Sequence, residues 1–179
     1  MNGTYHLTLP VDEEQVRNLR CGDTVYLSGQ LFTARDATHR FLLDKQTLSF
    51  HPEDMAMYHC GPLMKRVKNE WVVVSAGPTT SHRMDTFEET FIERYKVKLI
   101  IGKGGMGLRT QQAFQKYGAA YLTFPGGAGV IAANSVIRVD DVFYLNELGM
   151  TEAAWIFSVQ EFGPLIVSMD SHGESLYKQ

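Results

Sequence analysis

Residues 97–124 read VKLIIGKGGMGLRTQQAFQKYGAAYLTF, and this stretch decides the fold. An apolar, strand-like segment (97–101) leads into a glycine-rich turn, then into a helix-like pattern over about 108–117 and a second apolar segment, AAYLTF (119–124). Strand, glycine-bearing loop, helix and strand form the βαβ unit of a parallel or mixed sheet. Because ligands of such sheets bind beyond the carboxyl ends of the strands, we expect the turn at 102–107 to face a ligand.

The segments around this unit extend the α/β pattern. A short helix is predicted at 11–20 (VDEEQVRNLR), and the alternating stretch GDTVYLSGQLFTARD (22–36) predicts strands around a central glycine. A longer helix is predicted at 84–95, with an apolar stripe that faces the core and is formed by Met84, Phe87, Phe91, Ile92 and Tyr95.

The rest of the chain contains loops and further apolar runs. Residues 51–70 are rich in loop signals, and PGGAGV (125–130) is a second glycine turn. Near the C-terminus, AAWIFSVQ (153–160) and PLIVSMD (164–170) flank EFG and predict a hairpin that closes the core. Because no internal repeat or interdomain linker is evident, residues 1–179 are predicted to form a single domain.

Composition disfavours several functional classes. The 179 residues include 17 basic and 20 acidic side chains, which gives a net charge of −3 and no electrostatic footprint for nucleic acid or an anionic membrane. The N-terminal MNGTYHLTLPVDEEQ has neither the basic nor the apolar region of an export signal, and no run approaches the roughly 20 apolar residues of a membrane helix. We therefore expect a cytoplasmic protein that binds neither nucleic acid nor membrane.

The two cysteines, Cys21 and Cys60, form neither a disulfide framework nor a CxxC pair, as is typical of a reducing cytosol. They cannot by themselves hold an iron–sulfur cluster or a structural zinc ion. His51, His59 and Cys60 could be drawn as a metal site, but their spacing matches no standard ligand pattern. No metal site is therefore predicted in this chain.

The glycine turn has two nucleotide interpretations, and both fail on neighbouring residues. Gly102-x-Gly104-x-x-Gly107 matches the dinucleotide fingerprint, which needs an acidic residue about 20 positions further on, yet none occurs between Gly107 and Asp140. A Walker-type phosphate loop needs Lys and then Ser or Thr after its last glycine, where this chain has Leu108 and Arg109. A tight structural turn explains the glycines but not Lys103. An ammonium beside backbone amides and a helix N-terminus predicts a small anionic ligand.

Two further loops carry cations at the ends of predicted strands. LFTARDATHR (31–40) contains Arg35, and SAGPTTSHRMD (75–85) contains Arg83 beside hydroxyl residues that could cap a helix. Taken alone, Arg35 and Asp36 would be a surface ion pair and Thr79 a helix cap. Three loops with one cation each, however, suit a small substrate with two carboxylates, since Arg binds a carboxylate bidentately and Lys acts as a point charge.

At these residues the chain resembles a known family. LSGQLFTARDATHR (27–40), SAGPTTSHRMD (75–85), VKLIIGKGGMG (97–107) and ELGM...EFGPLIVSMDSHG resemble, in order, the C-terminal region of the class I, iron–sulfur-dependent fumarate hydratases. The chain is similar, more closely still, to the separate beta subunits of the two-subunit L(+)-tartrate dehydratase and fumarate hydratase type. The resemblance covers nearly the whole chain.

The resemblance implies a fold, a cofactor and a partner. It implies a swivelling β/β/α domain with a mixed sheet and flanking helices, docked on a larger alpha domain that carries a 4Fe–4S cluster. Because this chain lacks the cluster ligands, the cluster would lie on a separate alpha subunit, commonly in a heterotetramer of two alpha and two beta subunits. This chain alone should then be inactive.

The resemblance also implies roles for individual residues. The ARD motif assigns Arg35 to a substrate carboxylate, and the GKGG motif places Lys103 on the substrate. The GPTT..RMD motif assigns Arg83 to a carboxylate and Thr79 to proton exchange at carbon. Supporting roles fall to Asp36, His39, Gly102, Gly104 and Gly105. The first two of these would orient Arg35.

The implied reaction is the reversible dehydration of a hydroxy-dicarboxylate, and the sequence leaves the substrate open between fumarate/malate and L-tartrate, which would give oxaloacetate. A non-catalytic anion-binding or assembly module of the same fold is the alternative from another class, and a nucleotide-binding switch is the third. Retention of all four residues, Arg35, Thr79, Arg83 and Lys103, argues against a mere scaffold.

Overall fold

The computed structural model describes residues 2–124 and 128–177. Within these residues the strands are β1 (Thr4–Thr8), β2 (Thr24–Thr33), β3 (Ala56–Tyr58), β4 (Leu63–Val67), β5 (Glu70–Ser75), β6 (Leu99–Gly102), β7 (Ala120–Thr123), β8 (Val136–Phe143) and β9 (Ala154–Met169). The helices are α1 (Glu13–Asn18), α2 (Asp36–Leu43), α3 (Asp85–Tyr95), α4 (Leu108–Tyr117), α5 (Ala128–Ser135) and α6 (Leu145–Leu148), with 3₁₀ turns at Pro52–Asp54 and Ser81–Met84. The start of the second predicted glycine turn, residues 125–127, lies outside the described residues.

The main sheet is mixed and partly closed on itself. Its seven strands follow the order β1-β2-β3-β6-β7-β9-β8, and β2 also pairs with β9, so β2, β3, β6, β7 and β9 form a ring. Neighbours from β1 to β7 are parallel, whereas β9 is antiparallel to β2, β7 and β8. A separate hairpin, β4–β5, stands apart from this sheet. The predicted α/β class with a mixed sheet and flanking helices is confirmed.

The βαβ unit forms as predicted. β6 and β7 are parallel neighbours, and α4 joins them over Leu108–Tyr117. The helix ends at Gly118, whose φ of 64° is the left-handed conformation that glycine adopts without a steric penalty. All four residues of β6 and of β7 are buried, as expected of strands covered on both faces.

The predicted C-terminal hairpin is wrong, because residues 154–169 form one continuous strand. β9 runs antiparallel to β2 along its length, and the register between them shifts between Val25 and Leu27 and again between Leu27 and Gly29. Such bulges absorb the extra residues of EFG and bend the strand instead of reversing it. The first half of β9 therefore pairs with β8 and the second half with β7.

Two apolar clusters lie on opposite faces of the sheet. Alternate strand residues divide between them, so Leu99 and Ile101 belong to one cluster and Ile100 to the other. The second cluster includes residues of α2, α3 and α4. The predicted stripe of α3 is confirmed, since Met84, Phe91, Ile92 and Tyr95 are buried and Phe87 is half-buried.

The topology brings several loops to one edge of the sheet. The register aligns Thr33 with Tyr58 and Tyr58 with Ile101, so the carboxyl ends of β2, β3 and β6 lie side by side. β9 is antiparallel to β2, and its first residues therefore start at this same edge. We call it the carboxyl edge. In the part of the chain that the structure describes, no helix is long and apolar enough to cross a membrane.

Replacing Phe162 tests the packing of the first cluster. Its ring is fully buried, with centroids 5.2 Å from Tyr58 and 5.1 Å from Phe124. We expect Phe162→Ala to lower the free energy of unfolding by about 3–5 kcal/mol, because the substitution leaves a cavity. Urea unfolding of the full chain measures this loss. The control Ile137→Ala changes a side chain that is 64% exposed and should stay within about 0.5 kcal/mol. Equal losses for the two variants would contradict this assignment of the core.

Candidate functional site

The predicted site residues meet at the carboxyl edge. Arg35 follows β2 as the N-cap of α2, and Lys103 follows β6 directly. Thr79 lies between β5 and α3, and its amide donates to the carbonyl of His59 at 2.7 Å. Two residues on, the amide of Ser81 donates to the carbonyl of Lys103 at 3.0 Å. The segment that carries Thr79 is thus held between the ends of β3 and β6.

Arg35 pairs with a carboxylate that the sequence analysis did not identify. Its Nε lies 3.4 Å from Oε1 of Glu152, and the other Glu152 oxygen accepts the amides of Ala37 (3.1 Å) and Thr38 (3.2 Å) in the first turn of α2. Gly61 makes room for the guanidinium, since a Cβ there would lie 2.5 Å from Nη1 of Arg35. Glu152 therefore both caps α2 and orients Arg35.

Asp36 supports Arg83 and not Arg35. Nη1 of Arg83 lies 3.4 Å from Oδ2 of Asp36, and Nη2 donates a 2.7 Å hydrogen bond to Oγ1 of Thr79. The expected Arg35–Asp36 pair is therefore wrong, because the two side chains turn to different partners. Nor does Thr79 cap a helix, which was the alternative interpretation of this residue. Its hydroxyl accepts the hydrogen bond from Arg83, and the 3₁₀ turn that follows has no side-chain cap.

Lys103 is the unpaired cation of this edge. Its side chain is exposed and has no ion pair or hydrogen bond to any residue that the structure describes. Three cations therefore share the edge with two carboxylates, those of Asp36 and Glu152. The remaining positive charge favours an anionic ligand.

The glycines of the GKGG turn are required either because a Cβ would clash with a neighbour or because the backbone has a positive φ. A Cβ on Gly102 would lie 1.9 Å from Oγ of Ser81, so only glycine leaves room for that hydroxyl. Gly104 has φ +75°, which disfavours other residues. A Cβ on Gly105 would lie 2.9 Å from Cγ of Tyr177. These three glycines thus let the turn approach its neighbours closely.

The start of α4 already binds a carboxylate. Oδ1 of Asp85 accepts the amide of Gly107 at 2.7 Å and the hydroxyl of Thr110 at 2.6 Å. The amide of Gly107, which the expected anion site would use, is therefore already bound to a protein carboxylate. The same contact disfavours a phosphate here, because the negative charge of Asp85 at the start of α4 would repel it.

A buried triad, His39, Glu88 and His59, lies beneath the carboxyl edge. Oε1 of Glu88 is 3.1 Å from Nε2 of His39 and 2.8 Å from Nε2 of His59, and all three side chains are fully buried. These are ion-pair distances, although neither ring aims its Nε2 squarely at the carboxylate. On their other sides, Nδ1 of His39 lies 2.7 Å from the Arg35 carbonyl and Nδ1 of His59 lies 2.8 Å from Oγ of Ser81.

The triad has strongly perturbed protonation. Burial alone would raise the pKa of Glu88, but the two imidazoles lower it to about 2. Burial would lower the pKa of His39, yet Glu88 raises it above the ordinary value. Burial lowers the pKa of His59, and the charge on His39 acts in the same direction. These shifts favour an ionised Glu88, and of the two rings they favour the extra proton on His39.

The predicted role of His39 is partly changed, and one alternative metal site is removed. His39 contacts the Arg35 carbonyl and not its guanidinium, so it fixes backbone. His51 is exposed and pairs with Glu53, while His59 pairs with Glu88, so His51, His59 and Cys60 do not form a site. The triad offers three potential ligand atoms within 4.8 Å of one another. Among the described residues, this triad is the group that could bind a metal ion, and it could equally share a proton.

The cysteines of this chain do not fit an iron–sulfur cluster. Cys21 precedes β2 and Cys60 follows the parallel strand β3, so they lie at opposite edges of the sheet. Burial and the carboxylate of Asp170 raise the pKa of Cys21 to about 12, and burial raises the pKa of Cys60 even further. Two thiols at opposite edges of the sheet cannot be ligands of one cluster.

Comparisons with a family model and with individual proteins place this chain in the same family. Residues 4–179 match the family model described as Fumarase C-terminus. The L(+)-tartrate dehydratase subunit beta of Escherichia coli K12 is 45% identical over 171 residues, which cover 95% of this chain and 85% of that protein. A Methanocaldococcus jannaschii protein provisionally named L(+)-tartrate dehydratase subunit beta is 48% identical, over 93% and 88% of the two chains.

A longer relative matches along only part of its length. A Geobacillus stearothermophilus protein, provisionally named class I fumarate hydratase, is 40% identical over 176 residues, which are 96% of this chain but 33% of that protein. This chain therefore corresponds to one third of that longer protein. The family match extends over nearly every described residue, including all of the carboxyl edge. The chain therefore belongs to the Fumarase C-terminus family.

Proposed function

We propose that this chain is the beta subunit of a hydro-lyase that reversibly dehydrates a small hydroxy-dicarboxylate. The observation that supports it most is the convergence of Arg35, Arg83 and Lys103 at one edge of the sheet, in a chain of this family. The names of its relatives, L(+)-tartrate dehydratase subunit beta and class I fumarate hydratase, agree with this function.

The arrangement of cations suits two carboxylates. Arg35 and Arg83 each use one side of the guanidinium on a protein carboxylate, which orients the fork and leaves further N–H donors for a ligand. The side chains are 24% and 47% exposed, so both remain accessible. Lys103 adds an uncompensated charge. One substrate carboxylate would bind a guanidinium, and the other would lie near Lys103 or the second guanidinium.

Thr79 is the residue proposed to exchange the proton at carbon. A threonine hydroxyl is a poor base, and the hydrogen bond from Arg83 stabilises negative charge on Oγ1, which lowers the cost of ionisation. Removal of a proton beside a carboxylate moves negative charge onto that carboxylate. Cations already in place would stabilise this charge more in the transition state than in the bound substrate.

A partner subunit would supply the rest of the active site. The chain matches one third of the longer relative, and its thiols do not fit a cluster, so the 4Fe–4S cluster would be bound by a separate alpha subunit. The β4–β5 hairpin carries an apolar surface that a partner could cover, with exposed Leu63, Val67, Val72 and Val74. Beside it, a groove of about 690 Å³ lies between this hairpin and β8. We propose two copies of each subunit and a cytoplasmic location, where free thiols persist.

L-tartrate is the first substrate to assay, since the tartrate dehydratase relatives are 45–48% identical and the fumarate hydratase relative is 40% identical. Fumarate and malate remain the second pair. The assay uses this chain expressed anaerobically together with its alpha subunit. An assembled, cluster-containing complex that converts neither substrate would overturn the proposed function and favour a non-catalytic anion-binding module.

Lys103→Gln tests the unpaired cation. We expect kcat/KM to fall by about 10²–10³-fold, as when a donor to a developing oxyanion is removed. Steady-state kinetics of the assembled enzyme measure the change. Lys116→Gln is the matched control, because Lys116 lies exposed on α4 away from the carboxyl edge, and it should retain wild-type kinetics. Similar kinetics for both variants would remove Lys103 from the substrate site.

Thr79→Ala tests the proton-exchange role. Loss of the hydroxyl should reduce kcat by about 10²–10⁴-fold, the usual contribution of a positioned acid or base, while KM changes less. Thr79→Ser should retain part of the activity, since it keeps the hydroxyl. Thr90→Ala, an exposed position on α3, controls for substitution alone. If Thr79→Ala keeps near-wild-type turnover, Thr79 is not the base.

A further inference from the structure

We propose that the buried triad positions the substrate-binding loops by means of an imidazolium–carboxylate pair. Its members come from three separate elements, with His39 on α2, Glu88 on α3 and His59 directly after β3. The inference rests on the proposed function, because that function assigns the loops to substrate. The triad itself is fully buried and would not touch the substrate.

Each imidazole is bonded to a different loop of the site. Nδ1 of His39 meets the carbonyl of Arg35 at 2.7 Å, which fixes the backbone from which that guanidinium projects. The backbone of His59 accepts the amide of Thr79 at 2.7 Å and donates to the carbonyl of Ile101 at 2.8 Å. Rotation or displacement of either ring would therefore move a residue of the proposed site.

The contacts continue to the GKGG turn. Nδ1 of His59 lies 2.8 Å from Oγ of Ser81, which is in turn 2.7 Å from the hydroxyl of Tyr121. That hydroxyl also lies 3.0 Å from the carbonyl of Gly104, next to Lys103. One continuous polar path thus joins all three loops through the interior. Gly102 is required for this path, because any Cβ there would displace the hydroxyl of Ser81.

The donor and acceptor pattern places the extra proton on His39. A carbonyl can only accept, so Nδ1 of His39 carries a proton, and a second proton on Nε2 would give this ring the positive charge that offsets the Glu88 carboxylate 3.1 Å away. His39 is then an imidazolium. Nδ1 of His59 faces a hydroxyl that can donate, so His59 can satisfy both contacts as a neutral ring.

Charge balance distinguishes this arrangement from a metal site. One imidazolium and one carboxylate leave the triad neutral, which a buried site tolerates. A divalent ion with one carboxylate and two neutral imidazoles would leave a positive charge in the interior. Of the residues that the structure describes, the titratable groups that face His39 are Glu88 from α3, His59 from the end of β3 and Asp36 from its own helix. We therefore assign a proton and not a metal ion to the triad.

Ring-nitrogen NMR of the full chain tests this assignment without any assay of activity. With ¹⁵N-labelled histidine, the resonances that disappear in His39→Gln should show both ring nitrogens protonated at neutral pH, while those of His59 should show one. A neutral His39 ring would overturn the proposal. So would metal-type shifts that a chelator abolishes. The result stands whether or not the complex proves to be a dehydratase.

The pH dependence of activity separates positioning from a merely structural role. Without its carboxylate partner, a buried His39 should lose its proton at neutral pH. Glu88→Gln should therefore lower kcat by about 10²-fold, as expected for slight misplacement of catalytic groups, and regain activity as the pH falls. KM should change less than kcat, since all three cations remain.

The matched control for that variant is Glu53→Gln, whose carboxylate is 49% exposed and pairs only with the exposed His51. It should follow the wild-type pH profile. A Glu88→Gln enzyme with wild-type kcat and wild-type pH dependence would falsify the proposal. If Glu88→Gln does not fold, the NMR measurement on the unsubstituted chain decides.

The contribution of the two histidines to stability should be greatest near pH 6.5, the ordinary pKa of histidine. Because the folded-state pKa of His39 is raised, its contribution is complete below pH 6.5 and is lost as the pH rises through the raised value. Because the pKa of His59 is lowered, the unfolded chain binds more protons below pH 6.5, and stability falls there too. On each side the titration of one histidine can change the unfolding constant by at most tenfold per pH unit.

Urea unfolding over a pH series measures both slopes. In His39→Gln the decline above pH 6.5 should disappear, while His51→Gln, which replaces an exposed histidine, should leave both slopes unchanged. A wild-type profile that stays flat through neutral pH would show that the triad does not exchange protons on unfolding as proposed.

Discussion

The Glu88 carboxylate is the group on which the carboxyl edge depends. Apolar contacts hold α2 and α3 against the sheet, but such contacts are non-directional and do not specify the angle at which a loop leaves its strand. The ion pairs of Glu88 with two imidazoles do specify it, because the Nδ1 atom of each ring is also held, by the Arg35 carbonyl in one case and by the Ser81 hydroxyl in the other. A buried carboxylate is destabilising unless its charge is compensated, so the loss of one member of the triad would leave the others destabilised.

The order of the βαβ unit could be predicted because its signals are local. Residues 108–117 have helical spacing, a glycine lies at each end of this helix, and a buried strand lies on either side. Each of these signals can be recognised from a few neighbouring residues. The C-terminal hairpin was mispredicted because EFG carries turn-like residues, and sequence does not show whether they reverse a strand or enter it as bulges. That outcome depends on β2, whose residues pair with β9 from Ile156 to Ile166, on both sides of EFG.

The three cationic loops were identified from the sequence, but their ion pairs were not. Adjacent Arg35 and Asp36 suggested a pair with each other, whereas Arg35 turns to Glu152, a residue 117 positions further along the chain that also caps Thr38. Glu88 did leave a signal, since it lies four residues after Met84 and three before Phe91, on the apolar side of α3. An acid on a core-facing stripe needs a buried partner, and the two histidines provide one.

The ring of strands also constrains the order in which the protein can mature. β2 is among the first elements to leave the ribosome, yet its edge stays unpaired until β9 is complete, and the partner of Arg35 arrives only just before that strand begins. The β6–α4–β7 unit is held by contacts between residues that are close in sequence. Ring closure needs contacts between distant parts of the chain, which are slow to form. Until then the exposed strand edge is open to pairing with other chains. The carboxyl edge therefore cannot be completed before the last strand is in place.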